Sequence, residues 1–211
     1  MDQLNCEQVK AMLLHVADQV IASKSYLTEI DSKIGDGDHG IGMERGMKNA
    51  RDKLQSMQRA SNVYEPFIEM GRTMLMSMGG ASGVIFGTMF LGGAKGKEPS
   101  GTLNCRELAD LMRDSLLKIQ ERGGAQVGDK TMVDALEPAV KSMLDYQGAD
   151  LGEMLDQAVS AAEAGMEATK QYQAKFGRAK SLMERAVGYQ DAGATSTWII
   201  FRSMAEYVRS L

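Results

Sequence analysis

Two cysteines, three prolines and one tryptophan are all that 211 residues contain of these types, and the scarcities remove whole classes of protein. Cys6 and Cys105 lie in no CxxC or CxxH spacing, so neither a disulfide framework nor a structural zinc site is expected, and both read as buried thiols. No apolar stretch approaches the roughly 20 residues that span a bilayer. Met1-Asp2-Gln3-Leu4-Asn5 lacks a basic region ahead of an apolar run, so the expected location is the cytoplasm, away from membranes. Charge of one sign is also missing: 24 basic and 28 acidic residues give a net charge of −4 with no block of either, which argues against direct nucleic-acid binding. Internal repeats and low-complexity tracts are absent. The longest candidate linker, Ala94 to Thr102, separates helical patterns of unchanged composition, so one domain over residues 1–211 is expected.

What the chain does have is helical periodicity. Val9, Met12, Leu13, Val16, Ala17, Val20 and Ile21 follow the i, i+3, i+4, i+7 spacing behind Asn5 and Gln8, an N-cap and N3 pair. A second helix is expected from about Gly40 to Gln58, and a third from Glu65-Pro66 to Met78, with proline in the first turn where its missing N–H costs nothing. A short apolar helix carries Ile85, Met89 and Phe90. Asn104 and Glu107 cap a fifth that stops at Gly123-Gly124, and a sixth starts near Lys130 with Pro138 expected to bend or break it. Asp150 and Glu153 open a seventh running toward Tyr172, and after a polar stretch the last carries Trp198, Phe201, Met204 and Val208. Hardly any run alternates as a strand does. The fold class is therefore all-α, with eight helices whose neighbours are antiparallel because their connections are short. Met43, Met47, Met74, Met78, Met89 and Met204, among 17 methionines, sit on the apolar faces and read as core packing.

Four connections are rich in glycine and small polar residues: Asp31 to Gly40, Gly79 to Gly83, Gly123 to Thr131, and Gln190 to Ser196. In an up-and-down array they fall after the first, third, fifth and seventh helices, at one end, and each precedes a helix whose N-terminal N–H groups favour an anion such as phosphate. Asp31, Asp36 and Asp38 carry the sharpest signal. Carboxylates within ~5 Å of one another repel by about 3 kcal/mol per pair at an effective dielectric of ~20, so they protonate, stay solvated or take a cation. An all-carboxylate set suits Mg²⁺, which keeps positions for phosphate oxygens.

Familiar motifs do not explain these loops. Gly35 to Gly40 formally satisfies GxGxxG but follows a helix rather than a strand, and Gly123 to Thr131 has one residue too many for a P-loop. Counted from Asp36, the twelfth residue is Met47 rather than the glutamate of an EF-hand. His39 can touch a phosphate or donate to a carboxylate, or simply begin a helix. His15, inside an apolar helix, reads as structural. Asp129, Lys130 and Thr131 either cap the sixth helix or join the site, while Arg178 and Asp191 stand between surface and site roles.

Together the loops resemble those of the dihydroxyacetone kinase family, specifically its nucleotide-binding L subunit or domain. The matching strings are Lys33-Ile34-Gly35-Asp36-Gly37-Asp38-His39-Gly40, Gly79 to Gly83 with Gly87, Gly128 to Leu136, Gly177-Arg178-Ala179, and Gln190-Asp191 with Gly193-Ala194-Thr195-Ser196. The resemblance implies an antiparallel eight-helix barrel with a nucleotide site at one end. It implies that Asp31, Asp36 and Asp38 hold two Mg²⁺ ions, and that His39, Gly40, Ile41, Gly42, Met43, Ala81, Ser82, Gly123, Thr131, Met132, Arg178, Asp191, Ala192 and Gly193 surround ADP or ATP. The residue that would hold a ketone covalently belongs to a separate K-type subunit. An M-type phosphohistidine protein would rephosphorylate resident ADP, or ATP would be exchanged at each turnover. A homodimer, a related triose or tetrose substrate, and control of a transcription regulator by the ADP-bound surface are also implied among relatives. Ala192 stands where the family often has proline and Gly37 where alanine is common, which bears on the subfamily rather than on metal ligands.

Overall fold

The computed structural model describes residues 1–211. Each helix begins where the sequence supplies the means. Asn5 accepts from the Gln8 N–H at 3.0 Å while Gln8 reaches back to the Asn5 N–H at 2.9 Å, and this capping box opens α1 (Cys6–Ala22). At Ser23 the hydroxyl bonds back to the Gln19 carbonyl at 2.8 Å, and the chain breaks into α2 (Lys24–Ile34). There follow α3 (His39–Ser56), α4 (Glu65–Ser77), α5 (Gly80–Ala94), α6 (Cys105–Gly123), α7 (Val133–Asp145), α8 (Leu151–Ala168) and α9 (Ala192–Arg209). Two short strands, β1 (Gln3–Asn5) and β2 (Thr102–Asn104), pair antiparallel with Leu4 opposite Leu103.

Eight helices form a closed ring in which α1, α3, α4, α5, α6, α7 and α8 each pack on the next, and α9 returns to α1. The ninth, α2, lies across one end against α3 and α9. The expected eight-helix barrel is thus present with one helix more than the periodicity revealed, because α2 buries only Leu27, Ile30 and Ile34. One contiguous core of 51 buried residues fills the ring, and the six methionines assigned to it are all there. Glycines let the walls close. A Cβ at Gly93 would stand 1.8 Å from the Leu111 carbonyl oxygen where α5 meets α6, and one at Gly71 would stand 2.4 Å from the Gly87 oxygen where α4 meets α5.

Three expectations need correction. Pro138 does not break α7, which runs through it from Val133 to Asp145. Proline leaves the carbonyl four residues back without its helix donor, and that carbonyl, on Asp134, points at Gly165 of α8, where a Cβ would come within 2.0 Å. The neighbouring helix makes room for the displaced oxygen. Cys105 is buried but Cys6 only partly so, and both thiols are free. The helix expected to run toward Tyr172 stops as an α-helix at Ala168 and finishes in a 3-10 turn at Thr169–Gln171, and the polar stretch before α9 contains a second 3-10 segment at Arg178–Ala186. No helix is long and apolar enough to cross a membrane.

Candidate functional site

The ring alternates direction, so the connections before α3, α5, α7 and α9 meet at one end, the mouth. Direct contacts tie them together. Arg45 of α3 donates to the Met78 carbonyl at the end of α4. The Cα of Gly193 at the start of α9 faces the Met132 backbone, and that of Gly123 faces Ile85 of α5. These are the four glycine-rich loops picked out in the sequence, now side by side.

Asp31 comes from the last turn of α2, while Asp36 and Asp38 come from the link to α3, and one carboxylate oxygen of each lies within 4.8 Å of the other two. Asp31 is thus a helical residue, not a loop one. It also accepts from the His39 N–H at 3.2 Å, which fixes the start of α3 over the cluster. Arg178 forms an ion pair with Asp36 from the other side of the mouth. Packing around Asp38 and the negative charges of Asp36 and Asp31 push its carboxyl up from the ordinary aspartate range, with Arg178 opposing. That is the response of crowded carboxylates without a full counter-charge. The donor set fits a divalent, oxygen-preferring ion.

His39 donates to or accepts from the Ser196 hydroxyl at 2.8 Å through Nε2, and its ring tilts against Phe86 at 5.9 Å between centroids. Burial holds its imidazole down at about 4 despite the pull of Asp31, so it is neutral near pH 7. In the sequence Ser196 is marked only as part of a loop string; a hydroxyl one turn into a buried helix, in a loop of small residues, is the available signal. His15, by contrast, faces Glu206 at 3.5 Å on the outer wall.

The remaining predicted residues divide by exposure. Gly79 and Gly80 have positive φ, and an added Cβ at either meets nothing within 4 Å. With Ala81 and Ser82 they leave an open cradle at the start of α5, and Gly42 and Ile41 are likewise open on α3. Gly40 and Met43 turn inward: a Cβ at Gly40 would strike Thr28 and Lys24 of α2, and Met43 is in the core. At α7, Thr131 is partly exposed with its hydroxyl on the Val133 N–H at 3.2 Å, while Met132 and Ala192 are buried. Asp191 caps α9 by accepting from the Ala194 N–H at 2.7 Å, and burial pushes its carboxyl up to about 7. The N-cap residues of α3, α5 and α7 make no side-chain bond to their helices. Such N-termini favour a negatively charged ligand.

Asp129 and Lys130 do not cap α7. Asp129 pairs with Lys175 at 2.6 Å, and Lys130 is buried with its ammonium on the carbonyl oxygens of Thr169 and Tyr189. Asp134, a single turn on, is the residue that holds this loop, accepting from the Gly128 and Thr131 N–H groups at 2.6 Å each.

An all-α barrel whose mouth gathers three carboxylates, an arginine and uncapped helix starts belongs among the proteins that hold charged ligands on loops of a helical frame. The family is narrower. The model of the DAK2 domain matches residues 33–206, and the chain belongs to that family, among the L subunits of dihydroxyacetone kinases. It is 36% identical over 204 residues to the ADP-binding subunit DhaL of the PEP-dependent dihydroxyacetone kinase of Escherichia coli, covering 96% of this chain and 97% of that one. To the corresponding subunit of the PTS-dependent kinase of Lactococcus lactis it is 38% identical, covering 90% and 92%. L-erythrulose kinase of Pectobacterium atrosepticum is 36% identical over 96% of this chain, which spans 35% of that longer protein. Among solved structures, the dihydroxyacetone kinase of C. freundii in complex with AMP-PNP and Mg²⁺ superposes with a TM-score of 0.72 at 27% identity, covering 94% of this chain and 33% of that one.

Proposed function

We propose that residues 1–211 form one nucleotide-binding unit, the ADP- and Mg²⁺-binding subunit of a dihydroxyacetone kinase, working in the cytoplasm with partner subunits. When bound, ADP with two Mg²⁺ ions would relay a phosphoryl group from an M-type phosphohistidine protein to dihydroxyacetone on a K-type subunit. The observation that carries this reading is the convergence of Asp31, Asp36 and Asp38 within 4.8 Å at the mouth. Similarity to DhaL subunits along nearly their whole length supports it.

Each residue then has a task. The three aspartates hold the metal and so neutralise phosphate charge. The uncapped N-termini of α3 and α5 orient the phosphates. Neutral His39, held by Ser196 and by the Ala192 backbone, lines the mouth without adding charge. Arg178 balances Asp36 and, with metal bound, becomes free to face phosphate. No nucleophile or general base is required of this chain, because phosphoryl transfer relies on positioning and electrostatic stabilisation.

The test is to denature the purified protein and analyse the supernatant for ADP. Stoichiometric ADP is expected from the wild type and little from Asp36→Asn with its helices intact; a nucleotide-free wild type with no thermal shift on adding ADP and Mg²⁺ would sink the reading. The equal identity to L-erythrulose kinase supports a second reading, a nucleotide subunit for a related tetrose kinase using ATP. Rapid exchange of bound ADP for ATP, with turnover in the absence of any phosphohistidine protein, distinguishes it.

A further inference from the structure

Residues 172–190 leave the barrel after α8 and return before α9, and they bring Arg178 to Asp36 on the way. This excursion has little core of its own. Only Ala174 and Ala186 in it are buried. Its shape is held instead from the loop before α7. The ammonium of Lys130 donates to the carbonyl of Thr169, where the excursion departs, and to that of Tyr189, where it returns. Beside it the Asp129 carbonyl accepts from the Lys175 N–H at 3.1 Å, and the Asp129 carboxylate pairs with the Lys175 ammonium. The neck is closed further by the Gly188 N–H on the Lys170 carbonyl at 2.7 Å and the Asp191 N–H on the Thr169 hydroxyl at 2.9 Å.

Lys130 is an expensive residue for this place. It is 2% exposed and adopts φ 60°, a left-handed conformation that non-glycine residues avoid. Burial draws its ammonium down from the usual lysine range, and the carboxylates of Asp191 and Asp134 pull the other way. A buried charge of this kind is often replaceable by an apolar side chain without loss of stability. What an apolar side chain cannot do is bind two carbonyls at opposite ends of one excursion.

We infer that Lys130 is a positioning residue that clips the neck of the 172–190 excursion and thereby sets Arg178 over the Asp31, Asp36 and Asp38 cluster. Thr131 and Met132 follow it directly, so the loop at α7 and the Arg178 excursion share one anchor. The consequence for ligand release rests on the nucleotide reading above; the clip itself does not.

The experiment uses the full chain as wild type, Lys130→Met, Lys130→Arg and Arg178→Ala, with and without Lys130→Met in the last background. Without nucleotide, trypsin should cut at exposed Lys180 and Arg185 about 10-fold faster in Lys130→Met, with Lys130→Arg close to wild type, because local opening governs cleavage. In Mg²⁺, Lys130→Met should release ADP about 10-fold faster, and adding it to Arg178→Ala should accelerate release no further, as expected of two residues acting through one contact. Unchanged cleavage overturns the clip. Equal acceleration in both backgrounds overturns the link to Arg178. If the methionine variant does not fold, Lys130→Gln, which removes the charge and shortens the side chain, is read in the same way. Failure of ADP to bind any variant would overturn the nucleotide reading and leave the cleavage result to decide the clip.

Discussion

The two ends of the barrel are built from the same helices and finish them in opposite ways. At the closed end, α1, α6 and α8 start on Asn5, Asn104 and Asp150, whose side chains satisfy the first N–H groups. The β1–β2 ribbon covers the ring there with Leu4 and Leu103 fully buried, and the Leu151 N–H is tied to the Met1 carbonyl at 2.9 Å. At the mouth, α3 and α5 start without such caps, on the crowded Asp38 and on Gly79. One end spends its polar groups on itself. The other leaves α3 and α5 uncapped, and it forgoes roughly 1 kcal/mol of stability per missing cap.

If that contrast is right, substitutions at the two ends must fail differently. The largest effect is expected from Gly93→Ala in the wall near the closed end. Its methyl has no space beside the Leu111 carbonyl, so urea unfolding should show a loss of about 3 kcal/mol or more. The matching change at the mouth, Gly124→Ala, meets no atom within 4 Å, and only its left-handed backbone (φ 69°, ψ 2°) costs, about 1 kcal/mol. Equal losses would erase the distinction between wall and mouth. Next comes Asp38→Asn, which should lower ADP affinity in Mg²⁺ about 100-fold, or about 2.7 kcal/mol, by calorimetry. The unliganded variant should be no less stable than wild type, because a repelling charge is gone.

A smaller effect distinguishes the one capped helix at the mouth. Asp191 faces the Lys130 ammonium, the Asp134 carboxylate and the Ala194 N–H, and its carboxyl is raised to about 7. In the unfolded chain it titrates near 3.9. Between those values the folded state binds more protons, so this group's stabilising contribution is complete below about pH 4 and is lost as pH rises toward 7. Asp191→Asn should flatten the fall in stability across that window by about 1–2 kcal/mol, and an unchanged pH profile would contradict the assignment. Smallest is Asn104→Ala at the closed end, with a loss of about 1 kcal/mol and no change in ADP affinity.

The same contrast explains what could be read from the sequence. The closed end is legible because its caps are local: Asn5 with Gln8, Asn104 with Glu107 and Asp150 with Glu153 are pairs three residues apart, and all three N-caps bind as expected. The carboxylate cluster and the four converging loops were legible from composition and helix alternation. What could not be read was geometry made by distant parts. The helix α2 buries three apolar residues on a mostly polar surface, so Asp31 looked like a loop residue. Pro138 reads as a bend or a break, and only the structure excludes the break, because the glycine that accommodates it, Gly165, lies on another helix. Lys130 binds backbone carbonyls, which carry no sequence signature at all.

The most direct test of the central claim is calorimetric titration of nucleotide-stripped protein with ADP, once with saturating Mg²⁺ and once with a chelator. If Asp31, Asp36 and Asp38 hold the nucleotide through metal, affinity should fall at least 100-fold when Mg²⁺ is withdrawn, a difference of about 2.7 kcal/mol. Equal affinity in the two titrations would contradict it.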